Sequence, residues 1–178
     1  ALNSCSLAML CLPDEAARES IALIKNPDVK VIDTSTAHRV SPEWVYGFPE
    51  MTKGQAELIK KAKRVANPGC YPTGAISLVR PLIENSIVPS SYPLTINAVS
   101  GYSGGGKSLI KRFETEENEA PPIYFYGTNL SHKHLPEMQQ YIGLDNPPFF
   151  IPSFCKYMHG IIVLVPIYLT EIFNTPTL

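Results

Sequence analysis

No glycine-rich strand-to-helix turn precedes Leu12, so the dinucleotide-binding fingerprint of an intact Rossmann half is missing from the start of the chain. Either this half binds no dinucleotide, or its first βα units lie upstream. Cysteine is sparse: Cys5, Cys11, Cys70 and Cys155 include no close pair of the kind that marks zinc sites or redox dithiols. No disulfide framework is implied, which leads to the expectation of a reducing, cytoplasmic setting. Charge of one sign is lacking as well. With 15 Lys+Arg against 16 Asp+Glu the formal net charge is -1, which gives no broad electrostatic reason to bind nucleic acid or an anionic membrane. Long apolar runs are absent: Ala1 to Leu12 has no basic leader and is too short to span a bilayer, and Ile161 to Leu169 is also too short. No internal repeat or low-complexity tract is visible. What remains is 178 residues with 44% hydrophobic content, enough for a buried core in one large domain or two small ones, and small-molecule chemistry as the expected task.

Along the chain, Ser6 to Leu12 reads as a buried strand stopped by Pro13, and Asp14 to Ile24 as a helix with acidic residues in its first turn. Val29 to Asp33 reads as a second strand, so the pair predicts a βαβ unit and a parallel sheet. A turn-rich stretch, Thr34 to Glu50, precedes a helix over Lys53 to Lys63 and a short strand at Val65-Ala66. A helix from Cys70 to Glu84 follows, with Ala75, Leu78, Val79 and Leu82 as its apolar stripe. From Pro89 the texture changes. Leu94 to Val99 and Ile161 to Leu169 are β-type runs separated by glycine, proline and polar loops, which predicts a second, α+β region. Cys5 and Cys11 lie in an apolar stretch and are expected to be inert packing.

The run Asn67-Pro68-Gly69-Cys70-Tyr71-Pro72-Thr73-Gly74 places a cysteine at the first turn of a helix, facing unpaired backbone N–H groups and the positive end of the helix dipole. That position favours thiolate. Pro68 and Gly69 suit a tight strand-to-helix turn at the C-terminal edge of a sheet, where α/β proteins bind ligands. A buried cysteine capping an ordinary helix is the bland reading, and the small residues Thr73 and Gly74 tell against it.

At this point the sequence resembles the N-acetyl-γ-glutamyl-phosphate reductases of arginine biosynthesis, in their shorter form, a family related in fold to aspartate-semialdehyde dehydrogenase. The resemblance rests on the Cys70 turn and on Cys11-Leu12-Pro13-Asp14, Val31 to Arg39 and Trp44 to Glu50. It continues through Ser100 to Lys107 and His132 to Glu137 and reaches Pro166, so it covers nearly the whole chain. It implies a partial Rossmann-like parallel sheet, residues 1–69, as the C-terminal part of an NADP-binding domain. A catalytic and dimerisation domain of the semialdehyde dehydrogenase type, residues 70–178, is implied to follow. It also implies Cys70 as nucleophile, NADP as cofactor with Ser103, Gly104, Pro13 and Ser35 against it, Lys107 and Arg39 on a small acyl-phosphate substrate, and a homo-oligomer. The implied reaction is NADPH-dependent reduction of the acyl phosphate to a semialdehyde through a thioester on Cys70. Because the glycine fingerprint is missing and no further lysine/glycine-rich segment follows the last strand, the chain is expected to be the central part of a longer reductase, inactive alone.

Gly101 to Ser108 also satisfies the pattern G-x-x-x-x-G-K-[ST] after a predicted strand, which would make the chain a P-loop nucleotide triphosphatase with Lys107 on phosphate and Ser108 on magnesium. The short polar helix after Ser108, the Pro121-Pro122 break and the lack of a later strand ending in Asp count against it. Glycine at four of the six positions from 101 to 106 better suits close approach of backbone to an anion or cofactor.

His132 and His134 stand just before the helix-start signal Leu135-Pro136-Glu137. In an extended segment alternate residues point the same way, so both imidazoles are expected to face one pocket. Histidine titrates near neutral pH, and by the resemblance one of the pair is the acid/base, with His134 slightly favoured. His38 and His159 are expected in structural or substrate-shell roles. His132, His134 and Cys70 lack a fourth ligand at metal spacing, so metal-free catalysis is expected.

Overall fold

The computed structural model describes residues 1–115, 121–168, 170 and 172. Two compact units divide the chain at residues 1–73 and 74–178. The first contains β1 (Leu7–Leu10), α1 (Asp14–Leu23), β2 (Lys30–Asp33), β3 (Val45–Tyr46), α2 (Gln55–Lys61) and β4 (Arg64–Ala66). These strands form one all-parallel sheet in the order β1-β2-β4-β3, as the βαβ reading predicts. Alternation decides which residues enter the core. Ala8, Leu10, Val31 and Ala66 are buried with Val29 and Trp44, whereas Leu7 and Met9, on the opposite face of β1, are exposed.

Strand β3 lies inside the stretch read as turns. Two residues carry no period-2 signal, and only pairing of Val45 with Val65 and Tyr46 with Ala66 makes them a strand.

The helix α3 (Cys70–Glu84) begins at the cysteine, as predicted. Its inward face differs from the predicted stripe: Ala75, Ile76 and Val79 are buried, while Leu78 is 49% exposed. In the second unit, β5 (Thr95–Gly101) is followed by a 3-10 turn over Tyr102–Gly105, then α4 (Gly106–Thr115), β6 (Ile123–Phe125), α5 (Leu135–Ile142), β7 (Phe149–Cys155) and β8 (Ile161–Leu164). The sheet is mixed, in the order β6-β7-β5-β8, with β5 parallel to β7 and antiparallel to β8. Leu169, the end of the last predicted strand, lies outside the described residues.

Strand β7 escapes the sequence reading because Pro152 sits in its middle, and proline argues against an inner strand. The fold accommodates it at the end of a neighbour. Phe125, the last residue of β6, stands opposite Ser153, so the missing Pro152 N–H falls where β6 has ended, and the Pro152 carbonyl accepts the Tyr126 N–H at 3.2 Å.

Candidate active site

In the first unit, the strand ends converge on the turn that carries Cys70. Cys70 is exposed and is the first residue of α3. Its helix start is held by Gly69, whose carbonyl accepts both the Thr73 N–H at 3.0 Å and the Thr73 hydroxyl at 2.8 Å. Upstream, the Asn67 N–H donates to the Asp33 carbonyl at 2.7 Å, which fastens the turn to the end of β2.

Beyond Asp33 lies a network that the motif reading did not foresee. The Asp33 carboxylate is fully buried and accepts the Ser35 hydroxyl at 2.6 Å, the Ser35 N–H at 3.1 Å and the His38 Nδ1 proton at 2.7 Å. His38, expected in a structural or substrate-shell role, stacks on Trp44 with ring centroids 4.2 Å apart. The signal was an Asp ending an apolar strand, with Ser two and His five residues later. Ser35, expected at the cofactor, is buried, and its oxygen also accepts the Ala37 N–H. Arg39, expected at the substrate, is buried too; its Nε donates to the Asn67 carbonyl at 2.9 Å and its Nη2 to the Thr34 carbonyl at 3.1 Å. Pro13 is exposed at the start of α1.

The second unit holds the glycine loop and the histidine pair. Gly101, Tyr102 and Ser103 donate their N–H groups to the carbonyls of Gly160, Tyr157 and Met158, and the Gly106 N–H donates to Ser103. These amides are spent within the protein, and the segment winds as a 3-10 turn. The P-loop alternative therefore fails here, because its phosphate cradle needs such amides turned toward the ligand. Ser103 Oγ lies 3.2 Å from His159 Nδ1, while Gly104 and Lys107 are exposed.

His132 and His134 are brought together, but by a turn instead of an extended segment. The Leu135 N–H donates to the His132 carbonyl at 3.0 Å, and the two rings meet edge to face at 4.7 Å. His132 is half-buried. Burial first, and the neighbouring Lys133 charge second, lower its pKa to about 4. His134 is buried, with Nε2 3.9 Å from a carboxylate oxygen of the buried Glu137. Tyr141 lies one turn further along α5, its pKa raised to about 12 by burial and then by the Glu137 charge. Helical spacing thus sets His134, Glu137 and Tyr141 on one face of α5.

None of the expected residues lines the cavity of about 550 Å³ bounded by Tyr92, Pro93, Thr95, Pro166, Tyr168 and Thr170. Among the described residues no group of three or more His, Cys, Asp or Glu is placed to hold a metal ion. For a dinucleotide the fit is partial. At the α1 start a pyrophosphate would meet Asp14 and Glu15 with no glycine turn, and Asp14 already accepts the Thr36 hydroxyl. In the second unit Gly104 is exposed and must stay bare, because a Cβ there would stand 2.7 Å from Ser100 Oγ.

A parallel-sheet unit ending in an exposed cysteine, followed along the chain by a mixed-sheet unit with paired histidines, makes this an α/β protein of two units. Residues 1–61 match the NAD-binding domain of semialdehyde dehydrogenases, and residues 70–177 match their dimerisation domain. The chain belongs to the semialdehyde dehydrogenase family.

Among curated relatives, the N-acetyl-gamma-glutamyl-phosphate reductase of Burkholderia cenocepacia is 54% identical over 171 residues, covering 95% of this chain and 55% of the relative. The protein of the same name from Rhizobium meliloti is 52% identical over 181 residues, covering 99% of this chain and 58% of the relative. The chain thus spans little more than half the length of these relatives. Aspartate semialdehyde dehydrogenase II from Vibrio cholerae shares the fold with a TM-score of 0.67 at 16% identity, over 96% of this chain and 59% of that structure.

Proposed function

We propose that the protein reduces N-acetyl-γ-glutamyl phosphate to N-acetylglutamate semialdehyde with NADPH, in arginine biosynthesis, through a thioester on Cys70. The observation that carries this reading is the exposed Cys70 at the first residue of α3, on a turn hydrogen-bonded to the end of β2. The Cys70 thiolate attacks the acyl carbon, the carbon–oxygen bond to phosphate breaks, and phosphate leaves with the electron pair. NADPH supplies, when bound, the hydride that reduces the thioester. Collapse of the resulting thiohemiacetal breaks the carbon–sulfur bond, frees the aldehyde and restores the Cys70 thiolate. Backbone N–H groups at the α3 start, Pro72 excepted, stabilise the oxyanion.

His134 handles the proton as acid/base, partnered by Glu137. Pro13, Ser103 and Gly104 lie against the cofactor, Ser35 shapes the sheet edge below it through Asp33, and Lys107 adds charge for the substrate phosphate. Exposed apolar side chains in the second unit, Phe125 and Ile162 among them, support assembly as a homo-oligomer. No described helix is long and apolar enough to cross a membrane. The free thiols of Cys5, Cys11, Cys70 and Cys155 suit a reducing compartment, and we place the enzyme in the cytoplasm.

The test is Cys70→Ser in the full-length chain, assayed with acyl phosphate and NADPH. Reduction is expected to disappear while the fold is retained, since serine has no comparably acidic nucleophile. Full activity in that variant overturns the assignment.

A further inference from the structure

We propose that Arg39 is a positioning residue for Cys70, a role that rests on the reading of Cys70 as nucleophile. The resemblance places Arg39 at the substrate, but the structure turns its side chain inward. Its residue is only 7% exposed, and two guanidinium donors are spent on main-chain carbonyls. Those carbonyls belong to two different strand ends: Thr34 directly follows β2, and Asn67 directly follows β4. One planar group thereby ties the edge of β2 to the turn that leads into Cys70.

Asn67 is the pivot. Its N–H donates to the Asp33 carbonyl at 2.7 Å, and its own carbonyl accepts Arg39 Nε at 2.9 Å, so both main-chain groups are fixed three residues before the cysteine. Only Pro68, whose φ is locked by its ring, and Gly69, whose carbonyl is held by Thr73, separate this anchor from Cys70. Little torsional freedom is left between the guanidinium and the thiol. The loop that delivers Arg39 is itself pinned by the Asp33 carboxylate through Ser35 and His38. Asp33 thus serves the cysteine turn with its backbone and the arginine loop with its side chain.

A lysine cannot substitute. The guanidinium holds Nε and Nη2 in a rigid plane that spans both carbonyls, whereas an ammonium ends in a single nitrogen on a flexible stem.

The experiment uses the full-length protein and its Arg39→Lys and Arg39→Met variants, following the rate of iodoacetamide labelling of Cys70 at neutral pH with exposed Cys11 as internal reference. Both variants are expected to slow Cys70 labelling about tenfold, because the thiol is no longer held in its helix-start setting, with Cys11 unchanged. In steady-state assays Arg39→Lys is expected to lower kcat at nearly constant KM for the acyl phosphate. If Arg39→Met does not fold, Arg39→Lys, which keeps the charge and the stem, carries the test alone. A folded Arg39→Lys with the wild-type Cys70 labelling rate, or with KM raised and kcat intact, overturns the positioning role. Loss of the underlying reading looks different: wild-type Cys70 would label no faster than Cys11, and Cys70→Ser would still reduce substrate.

Discussion

The backbone N–H of His134 donates to Nδ1 of His132 at 3.2 Å. Because Nδ1 is the acceptor, the ring proton of neutral His132 sits on Nε2. Burial first, and the Lys133 charge second, oppose a second proton on this ring and lower the His132 pKa to about 4. His132 is therefore neutral throughout the range in which an acid/base must change state.

Of the pair, this leaves His134 as the proposed acid/base, and the rate profile tests that assignment. In kcat/KM profiles, His134→Asn should lose the limb near neutral pH together with about 10²- to 10⁴-fold in rate, the usual worth of a positioned general acid/base. His132→Asn should keep it. A neutral limb surviving in His134→Asn would assign the proton to a group outside this pair.

The same depressed pKa makes stability depend on acid. Unfolded, His132 titrates near the ordinary 6.5; folded, near 4, so between these values the unfolded chain binds more protons than the native one. Stability is then full above about pH 6.5 and is lost progressively as the pH falls toward 4. The ring is only half-buried, so solvent screening keeps the effect modest. Urea midpoints of the wild type should drop between pH 7 and pH 4.5 by more than those of His132→Gln. Equal drops would remove His132 as the cause.

Gly101 ends β5 against the turn before β8, and a Cβ there would meet the Met158 carbonyl oxygen at 2.6 Å and the His159 nitrogen at 2.8 Å. Both are backbone atoms, so neither can swing aside. Gly101→Ala should cost about 1–3 kcal/mol, the usual range for overpacking, read as a shift in urea midpoint at unchanged m-value. Because Gly101 also donates its N–H to Gly160, the strain should pull on the loop carrying Ser103 and His159. An unchanged midpoint would mean that the two segments separate at no cost.

Much of the first unit was legible because its signals are local. Short apolar runs marked β1 and β2, proline and acidic residues marked the start of α1, and the Pro-Gly turn put Cys70 at a helix start. The misses share a cause, which is dependence on pairing between distant segments. The strand at Val45–Tyr46 exists only through β4, and β7 tolerates Pro152 only because β6 stops beside it. The histidine pair was found for a reason that did not hold, since a turn and not an extended strand joins the rings. The Asp33 network was spelled out in the sequence, but an Asp, a Ser and a His so close together say nothing of burial until Trp44 closes over His38.

Asp33 offers the sharpest test of that network. Its carboxylate is fully buried and accepts from Ser35 twice and from His38. Asp33→Ala leaves these buried donors without their acceptor, a loss of about 1–3 kcal/mol of stability for a donor left unsatisfied. Asp33→Asn keeps the shape but offers one acceptor oxygen where the carboxylate has two, and its NH₂ must face either Ser35 or His38. It should lose less than Asp33→Ala. The Asp33 carbonyl is main-chain and still accepts the Asn67 N–H in both variants, so the cysteine turn keeps that anchor while the loop bearing Arg39 loosens. Denaturant midpoints should then rank wild type above Asp33→Asn above Asp33→Ala, and protease nicking within residues 35–40 should rise in the same order. Equal midpoints for all three would show that Trp44 packing on His38, and not the carboxylate, holds the loop.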